Sequence, residues 1–203
     1  VLAIVAAPVI GADTLPGAKL FTALLFAIFW LLLWRHHRRG RAPLWLLPLL
    51  MVAWVNLHLG YAAGLAAVAG YLVLELLELP FAGRRREAVL RLRRAWPWLA
   101  AAVAATLINP WGARLYAALA RQFRILESLD LFVSYWASTV VRPAQALAWR
   151  SPESAHWWLL GAALGAVVMA LWRRQFGAGL LLVTAALLSL RYYRFQALFA
   201  ILV

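Results

Sequence analysis

Trp54-Val-Asn-Leu-His-Leu-Gly60-Tyr61 is a polar knot inside the longest uncharged stretch of the chain, which extends from Ala42 to Leu74. A single helix of that length would measure about 50 Å, against a bilayer hydrocarbon core of about 30 Å. The stretch must therefore turn. Asn56 and His58 are its most polar side chains and Gly60 follows them, so the turn falls where amide and imidazole can reach water or headgroups. Two apolar helices, at about residues 43–57 and 60–79, are expected to meet at this Asn/His corner.

Composition points the same way. Hydrophobic residues make up 66% of the chain, and twelve tryptophans accompany only seven acidic residues, more apolar surface than a water-soluble core of this size can hide. The expected fold class is all-α: a single polytopic integral membrane helix bundle over residues 1–203, with about six spans, a truncated seventh and an external interfacial amphipathic helix. The formal net charge of +13 would suit nucleic acid in another context. Here the arginines fall in short blocks between apolar runs, a topology pattern, so nucleic acid is not an expected partner. With no cysteine, disulfides and thiolate metal sites are excluded. The chain opens on Val1-Leu-Ala-Ile-Val and stops within the apolar run that includes Leu198-Phe-Ala-Ile-Leu-Val, as expected of an internal or C-terminal piece of a longer polypeptide.

Residues 1–10 are too short to span, and Gly11-Ala-Asp-Thr-Leu-Pro-Gly17 is turn chemistry. A charge-free helix over 20–34 ends in Trp30 and Trp34 beside Arg35-His-His-Arg-Arg-Gly-Arg41, and tryptophans abutting arginines mark a cytoplasmic interface. Gly83-Arg-Arg-Arg-Glu-Ala-Val-Leu-Arg-Leu-Arg-Arg94 is a second such block, read as a connection and followed by Trp96 and Trp98. Both blocks share a side only if an even number of spans separates them, which puts Asn56 and His58 on the opposite, external side. A further span from about Ala95 stops at Asn109-Pro-Trp-Gly112. Residues 113–155 are then external. Their first part sets Tyr116, Leu119, Phe123 and Leu126 on one stripe and Arg114, Arg121 and Arg124 on another, as in a helix lying in the headgroup layer. Spans over 156–172 and 177–190 follow. Gly60-x-x-x-Gly64 and Gly161-x-x-x-Gly165 are small-residue patterns for close helix approach. Glu75 and Glu78, near the inner end of their span, are expected to pair with Arg84, Arg85 and Arg86.

The external inventory comprises Asp13, Asn56, His58, Asn109, Glu127, Asp130, Glu153, His156, Arg191 and Arg194. The stretches Trp54-Val-Asn-Leu-His-Leu-Gly-Tyr, Leu107-Ile-Asn-Pro-Trp-Gly and Trp149-Arg-Ser-Pro-Glu, with a late arginine before the last helix, resemble landmarks of bacterial polytopic membrane proteins related to GT-C type glycosyltransferases. Leu59 and Tyr61 depart from the usual corner of that group. The resemblance implies an enzyme of the bacterial cytoplasmic (inner) membrane that transfers a sugar from a polyprenyl-phosphate carrier to an acceptor on the outer face. Its main catalytic acid would lie upstream of Val1.

Sugar transfer from a lipid phosphate wants a carboxylate base for the attacking hydroxyl and cations or a metal for the departing phosphate. Asp13, His58 and Glu153 are the candidate catalytic residues. Asn56, Asn109, His156, Arg191 and Arg194 are candidates for substrate binding, the two arginines as a phosphate clamp. Each has a structural alternative: Arg191 and Arg194 as interfacial anchors, His58 as the partner of an open helix end, Asn109 as a helix terminator, Asp13 and Glu153 as solvated loop carboxylates. No residues have metal-ligand spacing, so no metal site is assigned, and a divalent ion is left open as cofactor. Membrane lipids and a polyprenyl-phosphate-linked sugar are the expected partners. A transporter or lipid-linked-sugar flippase, which would need ionisable residues at mid-bilayer, and a non-catalytic membrane scaffold are the alternatives.

Overall fold

The computed structural model describes residues 18–128, 152–173, 175–191 and 196–203. Their regular structure is all helix: α1 (Ala18–Arg39), α2 (Leu46–Leu57), α3 (Tyr61–Leu76), α4 (Ala82–Ala105), α5 (Arg114–Ser128), α6 (Pro152–Trp172), α7 (Phe176–Arg191) and α8 (Gln196–Leu202). The chain divides into two compact units. One comprises Pro16–Leu115 with Gln175–Ala178, the other Val1–Leu15, Tyr116–Arg174 and Gly179–Val203.

The first unit is built on α1 to α4. α2 packs chiefly along α4, and α1 lies against both α3 and α2. The uncharged stretch turns where expected, because His58 adopts an extended backbone (φ −160°, ψ 147°) and ends α2. α3 starts one residue after Gly60. A Cβ on Gly60 would collide with the Thr22 side chain and come within 2.9 Å of His58 Nδ1, so only glycine lets α1 approach the turn. Gly64 serves the same end, since a Cβ there would sit 2.9 Å from both Met51 and Trp54. Trp54, fully buried, fills the space between these glycines and Phe29, whose ring it meets edge-on at 6.2 Å. The second small-residue pattern plays no such part among the described residues, none of which brings an atom within 4 Å of the Cβ that Gly161 or Gly165 lacks.

α4 departs from expectation. The arginine block is no connection, and one helix runs through it and through Pro97. Ala88, Ala95, Leu99 and Ala102 are buried at three-, four- and seven-residue spacing, a single apolar stripe, while Arg85, Arg86, Arg93 and Arg94 lie off it and are exposed. Packing of that stripe offsets the cost of Pro97, about 3 kcal/mol for a proline within a helix.

The expected polytopic membrane bundle of six spans and a begun seventh is corrected here: among the described residues, no helix is long and apolar enough to cross a membrane. The uncharged stretch divides into helices of 12 and 16 residues, about 18 and 24 Å, against a hydrocarbon core of about 30 Å. α4 is longer but carries six arginines, and α1 ends in His36, His37, Arg38 and Arg39. All-α stands; the spanning architecture does not.

In the second unit α8 packs on α6, with Leu159, Ala163, Phe199 and Ala200 forming a buried cluster. Of the expected interfacial helix, α5 is present. Tyr116 and Leu119 are half-buried and Arg121 is exposed, in line with two stripes, whereas the side chains of Phe123, Arg124 and Leu126 lie outside the described residues.

Candidate functional site

The first unit has two chemically distinct ends, roughly 25 Å apart along α1. At one, α1 begins beside the α2–α3 corner. His58 Nδ1 accepts the backbone N–H of Gly60 at 2.9 Å and lies 3.0 Å from the Thr22 hydroxyl. A backbone N–H can only donate, so Nδ1 holds the lone pair and the neutral ring carries its proton on Nε2. The Thr22 hydroxyl in turn accepts from the Trp54 indole N–H at 3.4 Å. Half-buried His58 thus has its ring plane and tautomer set by three helices' worth of contacts.

Asn56, exposed two residues earlier, joins this corner to the turn after α4. Its amide nitrogen donates to the carbonyl of Val52 and to that of Ile108, both at 2.8 Å. Two stretches far apart in sequence therefore meet through one side chain. Neighbouring Asn109 is spent on its own turn: Nδ2 donates to Thr106 O at 2.8 Å and Gly112 O at 3.3 Å, and Oδ1 accepts the Trp111 N–H at 2.8 Å. Gly112 closes that turn at φ +52°, where glycine is favoured.

Of the other candidates, His156 is on α6 in the second unit. It is fully buried with neither ring nitrogen hydrogen-bonded, meets the Phe199 ring edge-on at 5.8 Å, and burial alone pushes its pKa down to about 4. It is a neutral core residue with a polar handle. Glu153 falls in the first turn of α6 and Arg191 ends α7, their side chains outside the described residues; Asp13 and Arg194 lie outside them altogether. Among the described residues no three His, Cys, Asp or Glu side chains gather to hold a metal. The residues at the Asn56/His58 corner offer one imidazole and no carboxylate, which does not fit a divalent ion.

The opposite end holds a network that the sequence did not disclose. Glu75, fully buried on α3, receives Arg91 Nε at 3.0 Å on each carboxylate oxygen and His37 Nδ1 at 2.9 Å. Arg91 also donates from Nη2 to Glu78 at 2.9 Å and approaches Glu87 at 3.5 Å. The expected pairing with Arg84, Arg85 and Arg86 is borne out in part, by Arg84 at 3.8 Å from Glu78, but Arg91 is the principal partner of both glutamates. The signal was there, since Arg91 stands three residues from Ala88 and four from Ala95 on the inner edge of the α4 stripe, visible once the arginine block is read as helix. Burial opposes the Arg91 charge, but the carboxylates of Glu75 and Glu78 outweigh it and raise its pKa. Burial, reinforced by the Glu75 charge, also pushes the Tyr71 phenol well up. His36 donates to the Arg91 carbonyl at 3.2 Å and is held neutral, its pKa lowered chiefly by burial.

Comparison with protein-family models, with curated proteins and with solved structures returned no match.

Proposed function

We propose that the chain is part of a glycosyltransferase that uses a polyprenyl-phosphate-linked sugar, with the Asn56/His58 corner and the Leu107–Gly112 turn forming the donor-facing end. One observation carries this: the hydrogen bond from Asn56 Nδ2 to Ile108 O joins two of the stretches on which the resemblance rests. Asn56 is exposed, and with its two amide hydrogens committed to backbone carbonyls its Oδ1 is left to accept a sugar hydroxyl. His58, its ring held at the corner by Gly60 and Thr22, serves the donor-facing end as a positioning residue. The lipid of the donor would meet apolar side chains such as Leu24, Ile28 and Leu31 of α1, which are exposed in the first unit.

Sugar release from polyprenyl-phosphate donors by the full-length protein tests the proposal. Asn56→Ala and His58→Gln are each expected to lower turnover at least tenfold while helix content is kept. Equal turnover in wild type and all variants would remove the enzymatic assignment. It would favour the scaffold alternative, which gains support from Asn109 being consumed by its own turn.

A further inference from the structure

At the end of the first unit away from the Asn56/His58 corner, an open cleft of about 620 Å³ lies between the α1–α2 connection and α4. Arg35, Arg41 and Arg94 line it together with His36, Leu44 and Trp98, and no carboxylate does. The geometry comes from the chain reversal after α1. Gly40 at φ +63° donates its N–H to His36 O at 2.7 Å, ending the helix and folding Arg41 back beside Arg35. α4 supplies Arg94 and Trp98 from one face, a turn apart, and the Arg94 guanidinium reaches the Gly40 carbonyl at 3.5 Å.

Charge makes the cleft unusual. Ten arginines fall in the two blocks of this end, against Glu75, Glu78 and Glu87. All three glutamates are engaged by Arg91, the second also by Arg84. Arg35, Arg41 and Arg94 are exposed and have no carboxylate partner among the described residues, so three guanidinium groups face one space with nothing to balance them. Guanidinium forks match phosphate oxygens in pairs. Trp98 in the cleft is 41% exposed, and Trp45, next in sequence to the cleft's Leu44, is 51% exposed, the placement of indoles that sit at a headgroup layer.

We propose that this cleft is a binding site for a phosphate group, supplied by the headgroup of an anionic phospholipid, with Arg35, Arg41 and Arg94 as its ligands and Trp98 packing against the glycerol and first methylenes. The site is independent of the donor-facing end and does not rest on the glycosyltransferase assignment. Its ligand chemistry is shared by free phosphate, which the exposed tryptophans do not favour.

The test uses the full chain in neutral detergent micelles, with fluorescent phosphatidylglycerol, fluorescent phosphatidylcholine and inorganic phosphate as probes. Each basic residue near an anionic lipid contributes about fivefold in affinity, so an Arg35→Gln, Arg41→Gln, Arg94→Gln triple variant should lose about a hundredfold for phosphatidylglycerol. An Arg85→Gln, Arg86→Gln, Arg93→Gln triple, with the same change in charge away from the cleft, should lose less than about fivefold, and lysine at the three cleft positions should restore part of the binding. Salt raised to 1 M should weaken the wild type toward the cleft variant. Equal binding of the two phospholipids, or equal losses in the two glutamine triples, would overturn the proposal. Retention of inorganic phosphate without phosphatidylglycerol would overturn the lipid assignment. Circular dichroism of each variant confirms that helix content is kept.

Discussion

Replacing Glu75 by Gln removes the charge at the centre of the buried network while keeping its shape. The Arg91 Nε–H then keeps one neutral oxygen where it shared two ionised ones at 3.0 Å, and the His37 bond at 2.9 Å is left with an uncharged amide oxygen as acceptor. Hydrogen bonds to charged groups contribute about 1.5–3 kcal/mol each. Breaking a buried ion pair by removing one partner costs about 3–5 kcal/mol when the other charge is stranded. Arg91 is not wholly stranded, because Glu78 still holds Nη2 at 2.9 Å, so the lower end applies: about 3 kcal/mol. For a unit of about this size each kcal/mol moves the midpoint by roughly 4–8 °C, giving a Tm fall on the order of 12–24 °C. Thermal unfolding of the full chain in mild detergent, followed by circular dichroism, measures this. Glu87→Gln, at an exposed and more distant partner, serves as control and should move Tm little. A Glu75→Leu, Arg91→Met pair, which removes both charges together, should recover most of the loss. A Tm fall under about 4 °C for Glu75→Gln, or a double variant worse than the single, would refute the account of this end as a paired, desolvated network.

Four further outcomes are expected. Gly60→Ala should cost about 1–3 kcal/mol by forcing a methyl into the Thr22 side chain, and Thr22→Ala in the same chain should relieve part of it; additive losses in a denaturant series would count against this contact. Asn109→Ala should cost about 1–2 kcal/mol and fray the turn after α4, seen as faster amide exchange at Trp111. His156 has a folded pKa of about 4 against an ordinary 6.5, so the unfolded chain binds the extra proton first. Its contribution is constant above pH 6.5, and about 3 kcal/mol is lost as pH falls to 4, so His156→Leu should flatten the acid limb of the stability profile across that window; an unchanged slope would exclude the buried neutral imidazole. His36, also held neutral by burial, should steepen the same limb in its own unit, and His36→Gln should reduce that slope without touching the His156 contribution.

Local chemistry made some features legible in the sequence. An uncharged stretch interrupted by Asn56, His58 and Gly60 can only turn there, because three polar or breaking residues within five positions leave no better place, and α2 ends at Leu57 as that requires. Gly60 and Gly64 announced close helix approach, and Asn109-Pro-Trp-Gly112 announced the end of α4.

Hydropathy alone overreached. It counts apolar residues along the chain without fixing where helices start and stop or where arginines fall within them, and among the described residues no helix is long and apolar enough to cross a membrane. The two arginine blocks do lie at one end of the first unit, with His36 and Arg94 reaching across to the other block or its flank, but the count of membrane spans that put them on one side does not hold. Only the tertiary structure decided that the second block is itself helical, that Arg91 turns inward to Glu75 while Arg35, Arg41 and Arg94 turn outward around one cleft, and that Gly161 and Gly165 pack against nothing within reach among the described residues. The physical reason is common to all three. Composition and spacing settle what a residue can do within a turn or two of its own helix, whereas the partner that fixes its charge, tautomer and exposure comes from an element tens of residues away, and no local pattern encodes which one.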